Sequence, residues 1–151
     1  PVLLGGIFKA TGNSGPAFTV AAKMPYMFKD LERLVTHYHL PFAMPAHFPA
    51  NTVTVQRLLC AASDSERAAL TLTLYHAYWG QGKDITNVEL LTELAGAELV
   101  AKTQDEAIKN QLKANTEEAV ARGAFGAPTF FVGDDMYFGE DRLFLIHEAI
   151  Q

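Results

Sequence analysis

The chain has 151 residues, a length that fits one domain or one domain carrying an inserted subdomain. Apolar residues make up 49% and charged residues only 19%, enough to bury a sizeable core and unlike a disordered composition. Twelve basic against 17 acidic residues (net −5) leave no basic footprint for nucleic acid, and no apolar run approaches the roughly 20 residues that a helix needs to cross a bilayer.

In chain order, Pro1-Val2-Leu3-Leu4-Gly5-Gly6 reads as the tail of a strand running into a turn, and Thr11-Gly12-Asn13-Ser14-Gly15-Pro16 as a shaped loop, with Phe8 and Phe18 anchoring it on the core. From Lys23, Tyr26, Met27, Leu31, Leu34, Val35 and Tyr38 recur at spacings of three and four, which predicts a helix with one apolar face that stops before Pro41. Pro41, Pro45 and Pro49 punctuate an irregular stretch. Asn51-Thr52 offers an N-cap for a second helix, and Ser63-x-x-Glu66 has the form of a capping box opening a third that runs to Trp79 and stops at Gly80-Gln81-Gly82. Helices are expected over 87–95, 97–102 and about 105–122, with Gly123 just past the end of the last. Pro128-Thr129-Phe130-Phe131-Val132, a turn at Gly133-Asp134-Asp135 and Met136-Tyr137-Phe138 make a β-hairpin, followed by a final helix capped by Asp141. A long helical stretch between strand segments indicates an α/β fold with a helical insertion.

Few residues carry a chemical signal on their own. A proline at the first residue of a strand, Pro128, need not donate to the ladder, and both a trans and a cis Ala127–Pro128 bond are open. Gly139-Glu140-Asp141-Arg142 precedes a helix start, which favours an anionic group; plain capping by Asp141 with a solvated Arg142 is the alternative. Asn13 reads as a turn residue or a ligand contact, and Lys23 opposes the dipole of its helix unless it has a partner. The five histidines have no metal-binding spacing, so no metal is expected, and His76 is expected to pack in the core. Cys60, the single cysteine, sits in an apolar helical stretch as an inert thiol; it excludes an intrachain disulfide and suits a reducing cytoplasm. There is no Cys-x-x-Cys, Walker A or Gly-x-Ser-x-Gly motif.

The sequence resembles 2-hydroxychromene-2-carboxylate isomerases and the related kappa-class glutathione transferases, thioredoxin-like proteins of the DsbA type. The resemblance is carried by residues 3–13 (LLGGIFKATGN), Trp79-Gly80-Gln81-Gly82-Lys83-Asp84-Ile85, residues 115–119 running on to Phe125-Gly126-Ala127-Pro128-Thr129-Phe130-Phe131, and Gly139-Glu140-Asp141-Arg142. It implies a thioredoxin-like domain made of 1–16 and 116–151, an inserted helical domain over 17–115, and a first strand and helix lying upstream of Pro1. It also implies glutathione as cofactor and a small aromatic substrate. Ala127, beside a cis Pro128, would pair through its backbone with the cysteinyl part of glutathione. Asp141 and the adjacent helix N-terminus would hold the γ-glutamyl end, its ammonium on the Asp141 carboxylate and its carboxylate on backbone N–H groups, with Gly139, Glu140 and Arg142 at the same cofactor site. Asn13 and Lys23 match positions that contact glutathione or a substrate carboxylate, and Phe8 and Trp79 would wall the aromatic pocket.

The implied reaction is a cis–trans isomerisation in aromatic degradation. In the family a serine hydroxyl stabilises the glutathione thiolate, which adds to a conjugated enone and is eliminated after rotation. That serine lies upstream of Pro1 in the family pattern, and neither Ser14 nor Ser63 matches it. Relatives usually carry Ser, Asn or Gln where Glu140 stands, and an Asn within the stretch matching Ala17-Phe18-Thr19-Val20. A kappa-type transferase or peroxidase, a DsbA-like thiol–disulfide oxidoreductase and a non-catalytic binding domain are the alternatives. A cytoplasmic homodimer is the expected state.

Overall fold

The structure, a computed structural model, describes residues 1–13 and 20–151. The Ser14-Gly15-Pro16 part of the first loop, and Phe18 as its anchor, lie outside the described residues.

The chain opens with a helix, not with the end of a strand: α1 spans Leu4–Thr11. Gly5 and Gly6, which suggest a turn in the sequence, lie inside it. The reason is tertiary packing, which overrides the low helix propensity of glycine. A Cβ on Gly6 would stand 3.0 Å from Thr116 Cγ2, so the bare backbone lets α1 close onto the later helix α7, Glu106–Ala121. The Leu3 N–H donates to Thr116 Oγ1 at 3.0 Å, and Asn115 Nδ2 donates to the Pro1 carbonyl at 3.0 Å. Ile7 is buried. Gly12, at φ +70°, ends the helix, and its N–H and that of Asn13 both reach the Phe8 carbonyl.

The next elements follow the predicted pattern. Helix α2, Lys23–His37, carries Pro25 in its first turn, where a missing N–H costs nothing, and ends before Pro41. Helix α3, Val53–Ala61, starts where Asn51 Oδ1 accepts the Val53 N–H at 3.1 Å. Helix α4, Asp64–Tyr75, has its capping box: the Ser63 hydroxyl and N–H both reach the Glu66 carboxylate. That bonding holds the Glu66 carboxyl below its ordinary range. Arg67 joins the two helices. Its Nε and Nη2 donate to the carbonyls of Leu59 (2.8 Å) and Ala62 (2.9 Å), which the end of α3 leaves without helical partners.

The α-helix expected to run on to Trp79 gives way to a π-turn at His76–Gly80. The wider turn shifts the register, so Ala77 and Tyr78 face the core while His76, expected inside, is exposed and meets Gln81 Nε2 at 3.1 Å. Helices α5 (Val88–Ala95) and α6 (Ala97–Lys102) follow, the first capped by Asn87 Oδ1 on the Leu90 N–H. The main core lies in this helical part: Val55, Leu58 and Leu59 of α3 pack with Leu74, Tyr78, Ile85 and Leu91.

Helix α7 ends in a Schellman motif. Gly123, at φ +94°, donates to the Val120 carbonyl, and Ala124 donates to that of Ala119. The chain then enters the only sheet among the described residues, strand β1 (Thr129–Val132) antiparallel to β2 (Asp135–Phe138). Asp135, expected in the turn, pairs with Val132, so the turn is the two residues Gly133-Asp134, with Gly133 at φ +58°. Asp141 does not cap the last helix. It sits inside a 3₁₀ turn, Glu140–Arg142, and α8 begins after it, Leu143–Ala149. The result is a helix-rich α/β chain in which every described element between residues 20 and 121 is helical.

Leu58 is 0% exposed and Leu72 72% exposed. Leu58→Ala is therefore expected to cost about 2–5 kcal/mol in urea denaturation, while Leu72→Ala stays within about 0.5 kcal/mol of the parent.

Candidate functional site

The loop joining α7 to the hairpin is shaped by four contacts. Thr129 Oγ1 donates back to the Gly126 carbonyl at 2.7 Å, which closes a tight turn around Ala127 and Pro128. Gly126 is buried under the ring of Phe138, and a Cβ there would lie 3.0 Å from Phe138 Cε2. That ring packs on Phe125, with centroids 4.5 Å apart. From the end of α1, Asn13 Nδ2 donates to the Phe125 carbonyl at 3.0 Å. Within this loop the Ala127–Pro128 peptide bond is cis, the geometry that the residues alone left open.

Ala127 is exposed, and no hydrogen bond from a described residue takes its N–H or C=O. The next carbonyl is committed: that of Pro128 accepts the Gly139 N–H at 3.0 Å, continuing the ladder beyond the Thr129–Phe138 pair. This bond sets the turn at 139–142 beside the loop. Gly139 is at φ +102°, and a Cβ on it would come 2.5 Å from Asp141 Oδ1. A side chain at 139 would therefore be strained and would push against the carboxylate. Asp141 Oδ2 meets Arg142 Nη1 at 2.5 Å, and both side chains are about half or more exposed to solvent. The site thus offers an exposed backbone edge at Ala127 and, in the turn that follows the hairpin, a carboxylate and a guanidinium paired with each other. The chemistry this permits is strand-like capture of a short peptide that carries an ammonium and a carboxylate at one end.

The structure brings Asn13, Ala127, Pro128, Gly139, Asp141 and Arg142 together, with Glu140 exposed in the same turn. It does not join the other expected residues to them. Lys23 is exposed at the first position of α2; its N–H donates to the Val20 carbonyl at 2.9 Å, and its ammonium has no ion pair or hydrogen bond with a described residue. Trp79, on the π-turn, is ringed by Phe42, Phe48 and Tyr78 at centroid distances of 6.1, 5.6 and 4.8 Å. It lines a cleft of about 480 Å³ with Leu31, Val35, Phe42 and His76, and a smaller one of about 130 Å³ on the other side. Phe8, half-buried on α1, lines neither cleft.

Two contributors escape sequence reasoning. Phe125 supplies a carbonyl, a group that every residue type carries, so no pattern marks it. Arg122 donates from Nη2 to the Gly133 carbonyl at 2.7 Å and lays its guanidinium 3.9 Å from the Phe131 ring centroid, tying the end of α7 to the hairpin. Its only sequence signal is a basic residue in the last turn of a helix.

Cys60 is half-buried, 3.9 Å from Asn115 Nδ2, and burial pushes its thiol up despite the nearby Arg67. A protonated thiol is a poor nucleophile. Among the described residues no group of three or more His, Cys, Asp or Glu could hold a metal ion, and no helix is long and apolar enough to cross a membrane.

Comparison with known proteins places these features. The family model for the DsbA-like thioredoxin domain matches residues 1–151. The chain is 29% identical over 148 residues to a 2-hydroxychromene-2-carboxylate isomerase of Pseudomonas putida, covering 93% of this chain and 72% of that protein. It is 32% identical over 141 residues to the isomerase of the same name from Sphingobium xenophagum, covering 89% and 72%. Glutathione S-transferase kappa 1 of Rattus norvegicus is 32% identical over 167 residues, covering 97% and 74%. A solved structure of a 2-hydroxychromene-2-carboxylate isomerase superposes with a TM-score of 0.83 at 27% identity, over 99% of this chain and 76% of that one. These relatives are enzymes.

Removing the Asn13 amide should loosen the loop. Asn13→Ala is expected to cost about 1 kcal/mol of stability and to speed amide exchange at Gly139, whose N–H is held by the Pro128 carbonyl, while leaving α5 unchanged; exchange followed by NMR reads both.

Proposed function

The chain belongs to the DsbA-like thioredoxin family, and we propose that within it the protein is a glutathione-dependent cis–trans isomerase of the 2-hydroxychromene-2-carboxylate isomerase type, acting on a small aromatic carboxylate in aromatic-compound degradation. The observation that carries this reading is the cis Ala127–Pro128 loop, held beside the Asp141–Arg142 pair by the bond from the Gly139 N–H to the Pro128 carbonyl.

The donor set fits glutathione. The N–H and C=O of Ala127 match the backbone of its cysteinyl residue, paired as a short added strand. The γ-glutamyl end is a zwitterion, and the site holds both complements: the Asp141 carboxylate for the ammonium and the Arg142 guanidinium for the carboxylate. When bound, glutathione supplies a thiol nucleophile able to add reversibly to a conjugated enone.

The protein's own part is to bind and orient. Asn13 fixes the loop through the Phe125 carbonyl, Gly126 and Gly139 let the backbone close in, and Lys23 is assigned to a carboxylate of cofactor or substrate. Glu140 adds a second carboxylate beside the anionic end of the ligand and should weaken binding. Trp79, with Phe42, gives an aromatic ring flat walls to lie against, and Phe8 is assigned to the loop side of the same substrate. No residue of 1–151 is assigned the activating hydroxyl.

A thioredoxin-like unit over 1–16 and 116–151, with residues 17–115 as its helical insertion, accommodates this site. A homodimer is part of the proposal, since α2 buries none of its residues and exposes Tyr26, Met27, Phe28 and Leu34. A reducing cytoplasmic setting suits a glutathione enzyme whose lone thiol is unpaired. The second reading is a kappa-type transferase, favoured by the 32% identity to the rat enzyme.

Calorimetry with reduced glutathione is expected to show binding, weakened at least about tenfold by Asp141→Ala and strengthened by Glu140→Ser, with Arg142→Gln also weaker. No heat of binding at millimolar glutathione would remove the cofactor. Turnover of a hydroxychromene carboxylate, without turnover of a halogenated aromatic, selects the isomerase; the reverse selects the transferase.

A further inference from the structure

The cleft that Trp79 lines with Leu31, Val35 and Phe42 holds about 480 Å³, a size that suits a small molecule. Two of its walls are aromatic faces: the Phe42 and Trp79 rings lie 15° from parallel, with centroids 6.1 Å apart. Such walls call for a flat ligand body. Among the described residues no Lys, Arg, Asp or Glu lines the cleft. A charged head group would leave water there without a partner of opposite sign, which is costly. Besides the indole of Trp79, the side chains that bring polar atoms to the lining are His76 and Tyr75.

Of these two, His76 is the one held in place. The π-turn at His76–Gly80 leaves its ring exposed, and Gln81 Nε2 meets its Nε2 at 3.1 Å. Nδ1 has no hydrogen bond with a described residue. The imidazole lies against Gly80, which also lines the cleft: a Cβ on Gly80 would stand 2.8 Å from Nδ1 and 3.2 Å from Cε1. Gly80 is not in the left-handed region, so its backbone does not demand a glycine. The imidazole does, because it fills the space a side chain would take. The Tyr75 hydroxyl, in contrast, is exposed and has no partner among the described residues.

We propose that His76 is a specificity-determining residue, whose imidazole pairs with the hydroxyl of a phenolic ligand while the ligand ring lies against Trp79 and Phe42. A hydroxyl both donates and accepts, so it can pair with Nδ1 whichever ring nitrogen carries the proton. A methyl group in its place would leave Nδ1 unpaired, and a carboxylate would meet no lining Lys or Arg. This rests on the reading of the Trp79–Phe42 walls as the seat of the aromatic substrate, and adds the group by which that substrate is recognised.

The test is an NMR titration of the isotope-labelled protein with para-cresol and with para-xylene, in which a methyl replaces the hydroxyl, both without glutathione. Trp79 is the only tryptophan, so its indole N–H gives one resonance that reports on the cleft. Para-cresol at millimolar concentration is expected to shift that resonance saturably. His76→Phe, a flat ring at an exposed position, should weaken para-cresol about tenfold, the scale of one hydrogen bond, and leave para-xylene unchanged. Gly80→Ala crowds the imidazole off its seat and should weaken para-cresol likewise, while Tyr75→Phe should bind both ligands as the parent does. The proposal is overturned if the indole resonance ignores para-cresol, if His76→Phe weakens both ligands equally or neither, or if Tyr75→Phe takes the loss instead. A failed para-cresol titration beside intact glutathione binding overturns this inference alone. A parent that takes up para-cresol but no glutathione overturns the cofactor reading alone.

Discussion

The contact of Gly6 with Thr116 is the constraint on which the rest hangs. With no side chain at Gly6, α1 lies close on α7, and Leu3, Asn115 and Thr116 seal the approach with two hydrogen bonds. This fixes where α1 ends, and so where Asn13 stands. Asn13 in turn holds the carbonyl of Phe125 at the far end of α7. One helix pair thus fixes both sides of the loop that carries Pro128. Arg122 secures the same region from the other direction, by holding the hairpin turn to the last turn of α7.

The molecule divides its labour along α7. Its N-terminal half packs with α3 and faces the large helical core, while its C-terminal end, through the Schellman turn at Gly123, feeds the hairpin. Apolar packing is concentrated in α3, α4 and α5. The hairpin end has few buried side chains and relies on hydrogen bonds and glycine geometry for its shape. Such an arrangement suits a binding edge, which must leave main-chain groups unpaired and cannot bury them under side chains.

How much of this was legible in the sequence depended on what kind of signal each part emits. The helices from 53 to 121 announce themselves through periodic apolar residues and caps at Asn51, Ser63 and Gly123, and the structure keeps all three. The hairpin was legible from its β-rich residues and its Gly-Asp turn. The first six residues were misread because Gly5-Gly6 suggests a turn locally, whereas their reason for being there is a helix-to-helix contact 110 residues away. His76 was misread because a π-turn changes the angle between successive side chains, which a period of 3.6 does not anticipate. At the site, residue types point to Pro128 and Asp141, but Asp141 does not cap the last helix, since the turn that leads into it already starts at Gly139, two residues earlier. Lys23 and Trp79 stand apart from the loop for a related reason: motifs in chain order carry no distances.

The groups offered at Ala127 belong to the main chain. An exposed edge of main-chain groups takes its character from the path of the backbone and not from a side chain. Residue 127 itself is exposed and could be replaced by many others with no donor or acceptor lost. The freedom ends at its neighbours: Gly126 cannot grow into Phe138, and Gly139 cannot grow into Asp141 without displacing them. In evolutionary terms the edge is free to drift at its centre and pinned at its flanks. Side-chain chemistry could diversify at 127 while the backbone frame around it stays the same.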